Sequence, residues 1–164
     1  MQIGESFVGS GANAAHVNTV LGERDGPVGT AWATALATPT HGHAPFVAVV
    51  RPGLPAKPLT LFVNKAEVRS DEHARLTWGP AQAGVAGGVV DAVADGVIAG
   101  DKVDGLVLIA AVWVDWDAND AAEVYRNNRE ATLNALRAGA CNEPALDEVI
   151  DARSSPWNPF FSGS

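Results

Sequence analysis

The chain has 164 residues, of which 47% are hydrophobic and 18% charged, the balance of a folded globular protein rather than a disordered one. We expect one domain over residues 1–164. Nineteen acidic and 11 basic residues give a formal net charge of -8, which argues against nucleic acids and anionic membranes as partners, because both need a basic surface.

The sequence offers little for disulfides, metal binding or membrane insertion. Cys141 is the only cysteine, so an internal disulfide is impossible, and we expect a buried structural role for it. His41 and His43 lie in a loop without a third ligand nearby, so we interpret them as solvated side chains and predict no metal site. The N terminus lacks a signal-peptide pattern, and the apolar stretch 106–114 is too short to span a bilayer, so we expect a cytoplasmic protein.

The first half of the chain predicts strands and one helix. Residues 2–8 and 15–21 alternate in polarity and are bounded by glycines, which indicates two strands joined by a turn. Residues 27–38 are rich in alanine and begin with proline, which favours a helix. The apolar run 46–50 predicts a buried strand, and a further strand is expected at 59–68, after a proline-rich turn.

The middle of the chain predicts two helices. Ser70 is a typical N-cap residue, and we expect the helix that it starts to break at Gly79-Pro80. A long helix follows at 81–98, with apolar residues at every third or fourth position, and Gly100 is expected to terminate it.

The last third predicts one strand, one helix and an extended tail. Residues 105–113 form the most apolar strand, and a long helix is expected at 118–138, with Asp117 as its N-cap and Gly139 at its end. The tail 154–161 carries three aromatic residues, which we expect to pack on this domain or on a neighbouring subunit. Strands and helices that do not alternate strictly predict an α+β sandwich, with a sheet covered by helices on one face.

His16 is the candidate reactive residue. It lies on the same strand face as Asn18, and an imidazole with a pKa of about 6.5 exchanges protons near neutral pH. A histidine satisfied within the core is the alternative. Lys65 follows an apolar strand segment and Gln82 opens a helix after Gly-Pro, so both are candidate ligand contacts, with strand-end solvation the alternative for Lys65. These residues predict a concave site but name no substrate.

Longer motifs resemble the formaldehyde-activating enzymes. The N-terminal one comprises Ile3-Gly4-Glu5, Val8-Gly9, Gly11, Ala15-His16-Val17 and Gly26-Pro27-Val28-Gly29. The others are Val49 to Pro58 with Thr60-Leu61 and Asn64-Lys65, Trp78 to Ala86 with Asp91-Ala92-Val93, Asn127 to Thr132, and Asn158-Pro159-Phe160. The resemblance covers nearly the whole chain, in the order and spacing of the family.

The resemblance implies a ribosomal-protein-S5-domain-2-like α+β sandwich and a homopentamer. It implies a carbon–oxygen hydro-lyase that condenses formaldehyde with tetrahydromethanopterin to methylene-tetrahydromethanopterin and water, in one-carbon metabolism, methylotrophy and formaldehyde detoxification. Tetrahydromethanopterin is then a co-substrate, with no tightly bound cofactor and no metal. His16 matches the family's proton donor, and the pterin contacts match Asn18, Val47, Lys65, Glu67 and Gln82.

Three matched positions differ from the usual family residue: Asn18 replaces Asp, Glu67 replaces Thr and Val47 replaces Leu. A neutral amide favours an imidazolium less than a carboxylate does, so we predict that His16 is less often protonated at pH 7. Glu67 is expected on the strand face of Lys65, where it would pair with Lys65 or meet a differently charged ligand. The change at Val47 is expected to matter little.

Three functions remain open on the sequence. One is the family's condensation reaction. The second is a weakly catalytic or non-catalytic paralogue that binds or senses formaldehyde adducts, a related pterin or an amine carrier. The third is the same condensation chemistry on another amine carrier.

Overall fold

A computed structural model describes residues 1–162 and contains nine strands in that range. In chain order they are β1 (Gln2–Val8), β2 (Ala15–Glu23), β3 (Phe46–Val47), β4 (Val49–Arg51), β5 (Leu54–Pro55), β6 (Leu59–Asn64), β7 (Leu106–Trp113), β8 (Trp157–Asn158) and β9 (Phe161–Ser162). Five of them form one sheet in the order β1-β2-β7-β6-β3. Neighbouring strands in this sheet are antiparallel except β6 and β7, which run parallel.

The same residues contain five α-helices. They are α1 (Pro27–Ala37), α2 (Asp71–Leu76), α3 (Gln82–Ala94), α4 (Ala121–Cys141) and α5 (Leu146–Asp151). A π-helical turn, Thr77–Ala81, joins α2 to α3. None of the described helices is long and apolar enough to cross a membrane. The mixture of a five-stranded sheet with separate helices confirms the predicted α+β class.

The main core lies between one face of the sheet and helices α3 and α4. Side chains alternate between the two faces of a strand, and Val17, Phe62 and Leu108 are fully buried on the helix side. Val85 of α3 and Ala131 of α4 belong to the same buried cluster. Burial of a Val, Leu or Phe side chain contributes roughly 1.5–3 kcal/mol, so this layer supplies much of the driving force for folding.

Helix α4 lies directly on β1 because Gly4 has no side chain. A Cβ atom at Gly4 would lie 1.8 Å from the carbonyl oxygen of Ala135, and one at Gly139 would lie 3.2 Å from the backbone of Ile3. Since Gly4 faces α4, the neighbouring side chain of Glu5 points to the opposite face of the sheet. This close approach therefore sets the direction of Glu5.

The opposite face of the sheet is covered at one end by α1. A Cβ atom at Gly22 would lie 2.5 Å from Cγ2 of Val28, so α1 lies over the last residues of β2. Most helical cover is on the α3–α4 face, as predicted, and α1 adds partial cover to the other face. The remaining end of that face, where β2 begins, holds the cavity described below.

The strand predictions at 46–50 and 59–68 were wrong in their extents. The first run divides at Ala48 into β3, which pairs with β6, and β4, which pairs with β5. The second ends at Asn64, whose side-chain amide donates to the carbonyl oxygens of Gly42 and Ala66 and so holds the chain in a bend.

The middle helices also differ from the prediction. Gly79-Pro80 lies inside the π-helical turn instead of breaking the helix, because a widened turn accommodates the missing N–H of proline. Helix α3 ends at Ala94, and Gly96 takes a positive φ of 76° after it. The predicted terminator Gly100 instead begins a short 3-10 turn.

The predicted ends of the last helix were wrong at both termini. Asp120, rather than Asp117, is the N-cap, because its side chain accepts hydrogen bonds from the backbone N–H groups of Ala122 and Glu123. The helix continues past Gly139, which faces β1, and ends at Cys141. Asn142 caps it with a left-handed φ of 56°.

Two further expectations on this part of the chain have different outcomes. Cys141 is exposed, so the expected buried structural role was wrong. The tail forms the short β8–β9 hairpin and packs in part on its own domain, with the ring of Phe160 6.0 Å from that of Trp113. Trp157 and Phe161 remain 72% and 57% exposed.

Candidate functional site

A cavity of about 860 Å³ opens on the sheet face opposite α3 and α4. This volume lies in the range of small-molecule sites, roughly 300–1,000 Å³. The residues that line it come from the ends of β1, β2 and β7, the residue after β6 and the tail: Glu5, Phe7, Gly11, Ala14, His16, Asn18, Lys65, Trp113, Asp115 and residues 157–160. Polar side chains lie on the sheet, and aromatic rings surround them.

The pairing of β1 with β2 places Glu5 and His16 next to each other. Phe7 lies opposite His16 and Glu5 lies opposite Asn18 in the antiparallel register. Directly paired residues project to the same face of a sheet, and diagonal neighbours are within reach of long side chains. Oε1 of Glu5 therefore meets Nε2 of His16 at 2.9 Å.

The side chain of Lys65 reaches His16 and Asn18 from the end of β6, two strands away in the sheet. Its backbone N–H donates to the carbonyl oxygen of Val112 at 2.7 Å, which fixes it beside the end of β7. Ala111 of β7 lies between Val63 and Asn18 in the register. Because the alanine side chain is small, the lysine side chain extends across β7 to β2.

Four side chains form one continuous polar chain in the cavity. Nζ of Lys65 donates to Oδ1 of Asn18 at 2.8 Å and lies 3.2 Å from Nδ1 of His16. Nε2 of His16 lies 2.9 Å from Glu5. A carboxylate only accepts and an ammonium only donates, so the favoured neutral tautomer carries its hydrogen on Nε2 and leaves Nδ1 as an acceptor.

The surroundings of His16 favour its neutral form. Burial lowers the pKa of His16 below its ordinary value, and the positive charge of Lys65 lowers it further. The Glu5 carboxylate opposes both effects through its charge and its hydrogen bond. Burial and Lys65, rather than Asn18, lower this pKa, so the predicted effect of Asn18 stays a prediction.

The pKa of Lys65 is also shifted from its ordinary value. Burial lowers the pKa of Lys65 to about 8, and the charge of Glu5 acts in the opposite direction. The amine therefore gains a neutral population close to physiological pH.

The chain matches the family described as formaldehyde-activating enzyme (Fae) over residues 3–161. It belongs to this family. It is 40% identical over 158 residues to the 5,6,7,8-tetrahydromethanopterin hydro-lyase of Methanosarcina barkeri (strain Fusaro / DSM 804), which covers 96% of this chain and 89% of that protein.

Longer relatives contain a similar segment. The chain is 42% identical over 150 residues to the bifunctional enzyme Fae/Hps of the same organism and 38% identical over 159 residues to that of Archaeoglobus fulgidus. These matches cover 92% and 97% of this chain but only 38% and 40% of the bifunctional proteins. The chain thus spans about two fifths of their length.

The structure brings together three of the six residues that the resemblance to the Fae family selected: His16, Asn18 and Lys65. Glu67 was expected on the strand face of Lys65, but β6 has already ended at Asn64. Its carboxylate instead lies 3.7 Å from Arg69 and 3.8 Å from His41. Of the two alternatives expected for Glu67, the pairing with Lys65 was therefore wrong, and its assignment as a ligand contact stays a prediction.

Val47 and Gln82 lie apart from the His16 cavity. Val47 pairs with Leu61 in the edge strand β3. Gln82 is 7% exposed, and its Oε1 accepts a hydrogen bond of 2.6 Å from the backbone N–H of Val49, which ties α3 to β4. Neither residue lines the cavity that contains His16. Their assignment as pterin contacts stays a prediction.

Sequence reasoning missed Glu5 and the aromatic residues around it. The alternation Ile3, Glu5 and Phe7 places these side chains on one face of β1, and pairing the two predicted strands across their turn puts Glu5 beside His16. The pattern thus contained the information for Glu5. Trp113 needed the β2–β7 pairing, which joins segments about 100 residues apart.

Within residues 1–162 no group of three or more His, Cys, Asp or Glu residues is arranged to hold a metal ion. Nδ1 of His43 lies 2.9 Å from the carbonyl oxygen of Asn64, so this ring is engaged by the loop backbone.

Proposed function

We propose that the chain condenses formaldehyde with tetrahydromethanopterin to give methylene-tetrahydromethanopterin and water. The observation that carries this proposal is the meeting of His16, Asn18 and Lys65 in one cavity, in a member of the Fae family. The name of the Methanosarcina barkeri relative, a tetrahydromethanopterin hydro-lyase, supports the substrate.

The chemistry needs one well-placed proton donor. A pterin amine attacks formaldehyde and forms a carbinolamine, and the difficult step is loss of its hydroxyl group. Protonated His16 donates a proton to that oxygen, which leaves as water. The second pterin amine then attacks the resulting iminium carbon. The two protons that the pterin amines lose and the aldehyde oxygen together make up the released water.

Glu5 and the cavity walls contribute to this reaction by position. Glu5 holds Nε2 of His16, so Nδ1 is the nitrogen that faces the Lys65 side of the cavity. The rings of Phe7 and Trp113 offer apolar surface suited to a planar pterin. Holding the aldehyde and both amines together also lowers the entropic part of the barrier.

A homopentamer is part of the proposal, through the resemblance. Helix α5 exposes Leu146, Val149 and Ile150, with fractions of 72%, 52% and 45%. Their i, i+3, i+4 spacing places them on one face of the helix. An apolar face of this kind is suited to contact a second copy of the chain. A cytoplasmic role in one-carbon metabolism belongs to the same proposal.

The proposal is tested by the rate of methylene adduct formation over the spontaneous reaction. We expect His16→Ala to reduce the protein-catalysed rate about 100-fold, because a general acid typically contributes a factor of this size. His41→Ala is the control, because this ring is 97% exposed and lies outside the cavity.

Two results would count against the proposed reaction. Folded wild-type protein that does not accelerate the reaction would contradict it, and so would a His16→Ala variant with undiminished rate. A pterin-dependent rise in Tm without turnover would instead support the binding or sensing paralogue.

A further inference from the structure

We infer that Lys65 captures formaldehyde covalently, as an Nζ-linked methylene iminium, before the pterin takes the carbon. This inference rests on the proposed function, because it describes how the same site handles the aldehyde. Nζ of Lys65 is a primary amine in the cavity, 3.2 Å from Nδ1 of His16 and 2.8 Å from Oδ1 of Asn18. An amine, a proton-exchanging ring and an open space for a one-carbon aldehyde therefore lie together.

The hydrogen-bond partners of Lys65 carry no negative charge that would hold it as an ammonium ion. Asn18 offers a neutral amide oxygen, and within residues 1–162 no carboxylate lies within ion-pair distance of Nζ. Lys57, in contrast, pairs with Asp104 on the surface, and Lys102 is exposed. The chain has three lysines, so the other two are internal controls.

The neutral amine is populated at the pH of the reaction. With the pKa of Lys65 lowered by burial to about 8, roughly one side chain in ten is neutral at pH 7 and half at pH 8. The titratable groups that face it are His16 on β2, Glu5 on β1 and Asp115 after β7. Glu5 is the group whose charge raises the pKa, so the lowered value already includes its effect.

The capture step balances in atoms and charge. The neutral Nζ attacks the carbonyl carbon, one N–H proton moves through Nδ1 of His16 to the aldehyde oxygen, and a carbinolamine forms. A further proton from His16 lets the hydroxyl group leave as water, and the Nζ–carbon bond becomes an iminium. Counted from the ammonium form, lysine and formaldehyde yield the iminium and water, and the single positive charge is kept.

Transfer to the pterin reverses the attachment to Lys65. A pterin amine attacks the iminium carbon, and the resulting diamine expels Nζ as the leaving amine after proton transfer through His16. The carbon is then an iminium on the pterin nitrogen, and ring closure by the second pterin amine releases one proton. The net reaction is the same condensation, with Lys65 and His16 restored.

The residue at position 18 controls this capture. An aspartate there would place a negative charge close to Nζ, which lies 2.8 Å from Oδ1 of Asn18, and would stabilise the ammonium form. Asn18 accepts the same hydrogen bond without that charge. A neutral amide at position 18 therefore favours the nucleophilic, neutral form of Lys65.

The test is reductive trapping on the full-length protein. Formaldehyde and sodium cyanoborohydride convert the iminium to an N-methyl lysine, which peptide mass spectrometry detects as one added methylene unit. At pH 7 we expect Lys65 to be methylated at least about tenfold faster than Lys57 and Lys102, because of its larger neutral fraction.

Two variants and added tetrahydromethanopterin test the capture step further. Asn18→Asp should slow the trapping at Lys65 and leave Lys57 and Lys102 unaffected. Tetrahydromethanopterin added before the reductant, with formaldehyde in excess over the pterin, should suppress methylation at Lys65 more strongly than at Lys57 and Lys102, because bound pterin also takes the carbon from Lys65. Lys65→Arg should lower turnover while preserving the Tm, since arginine keeps a cation but does not form the iminium.

Different results would separate this inference from the proposed function. Equal trapping at all three lysines, trapping at Lys65 that pterin does not suppress, or full turnover by Lys65→Arg would overturn the capture step. If wild-type turnover persists in those cases, the proposed condensation stands without it. Selective trapping at Lys65 in a protein that shows no turnover would remove the condensation and leave the capture.

Discussion

The carboxylate of Glu5 supplies the negative charge that Asn18 does not bring to His16. Asn18 was expected to leave the imidazole less often protonated, and the pKa of His16 is lowered, first by burial and then by Lys65. Glu5 is the group that opposes this shift, from the neighbouring strand. At the residue scale, the acid strength of the site therefore depends on Glu5, a residue of the matched N-terminal motif to which the resemblance assigned no role.

We predict that Glu5→Gln lowers kcat and lowers the pKa of His16 further. The acid needs the protonated ring, so activity declines as pH rises through that pKa, and the decline should move to lower pH in the variant. The side chains of His16 and Glu5 are 38% and 59% exposed, so we expect a loss of about three- to tenfold rather than that of a buried charged hydrogen bond. The pH profile of kcat and an NMR titration of His16 measure both effects.

Glu23→Gln is the matched control for this prediction. Glu23 is exposed at the far end of β2 and does not line the cavity, so the same change of charge there should leave the pH profile in place. An unchanged His16 titration in Glu5→Gln would show that the carboxylate does not act on the ring.

At the scale of elements, glycines set the distance between α3 and α4. A Cβ at Gly84 would lie 2.5 Å from the carbonyl oxygen of Tyr125, and one at Gly88 would lie 2.4 Å from that of Arg129. Both obstacles are backbone atoms, which a side-chain rotation cannot remove. The pair of helices supports the sheet below the cavity, so this close approach affects the site as well as the core.

We predict that Gly88→Ala lowers the free energy of unfolding by about 1–3 kcal/mol, the usual penalty of overpacking. Gly87→Ala is the control on the same helix. Its Cβ would lie 3.3 Å from Cδ of the Arg129 side chain rather than against a backbone atom, and alanine gains up to about 1 kcal/mol over glycine in a helix interior. Urea unfolding of both variants should give opposite signs, and equal destabilisation would contradict the proposed role of Gly88.

Over the whole molecule, local sequence patterns predicted the bounds of strands and helices better than they predicted which of these elements contact each other. The strands 2–8 and 105–113 and the helix after Pro27 were predicted within one residue at each end, because alternation and an N-terminal proline act locally. The end of α4 was not, because Gly139 faces β1 instead of ending the helix, and this contact joins distant parts of the chain.

The candidate site shows the same difference between local patterns and long-range contacts. His16 and Asn18 were placed together from the alternation of one strand, whereas the contact with Lys65 depends on β7 lying between β2 and β6. Glu67 was misplaced because the side chain of Asn64 ends β6 early. The tail was recognised as aromatic, but its position against the cavity depends on the contact between Phe160 and Trp113.

The tail therefore completes the site only in the folded molecule. Substitution of Phe160, with Phe161 as the control, tests whether the tail contributes to pterin binding. Phe160 lines the cavity but is still 79% exposed, so a bound pterin ring would find an open aromatic face there. Stacking on an aromatic side chain is worth roughly 1–3 kcal/mol. We therefore predict that Phe160→Ala raises the KM for tetrahydromethanopterin by about fivefold or more and leaves kcat nearly unchanged. Phe161→Ala, on the same hairpin but outside the cavity lining, should keep both constants, whereas a fall in kcat alone for Phe160→Ala would assign this ring to the chemical step.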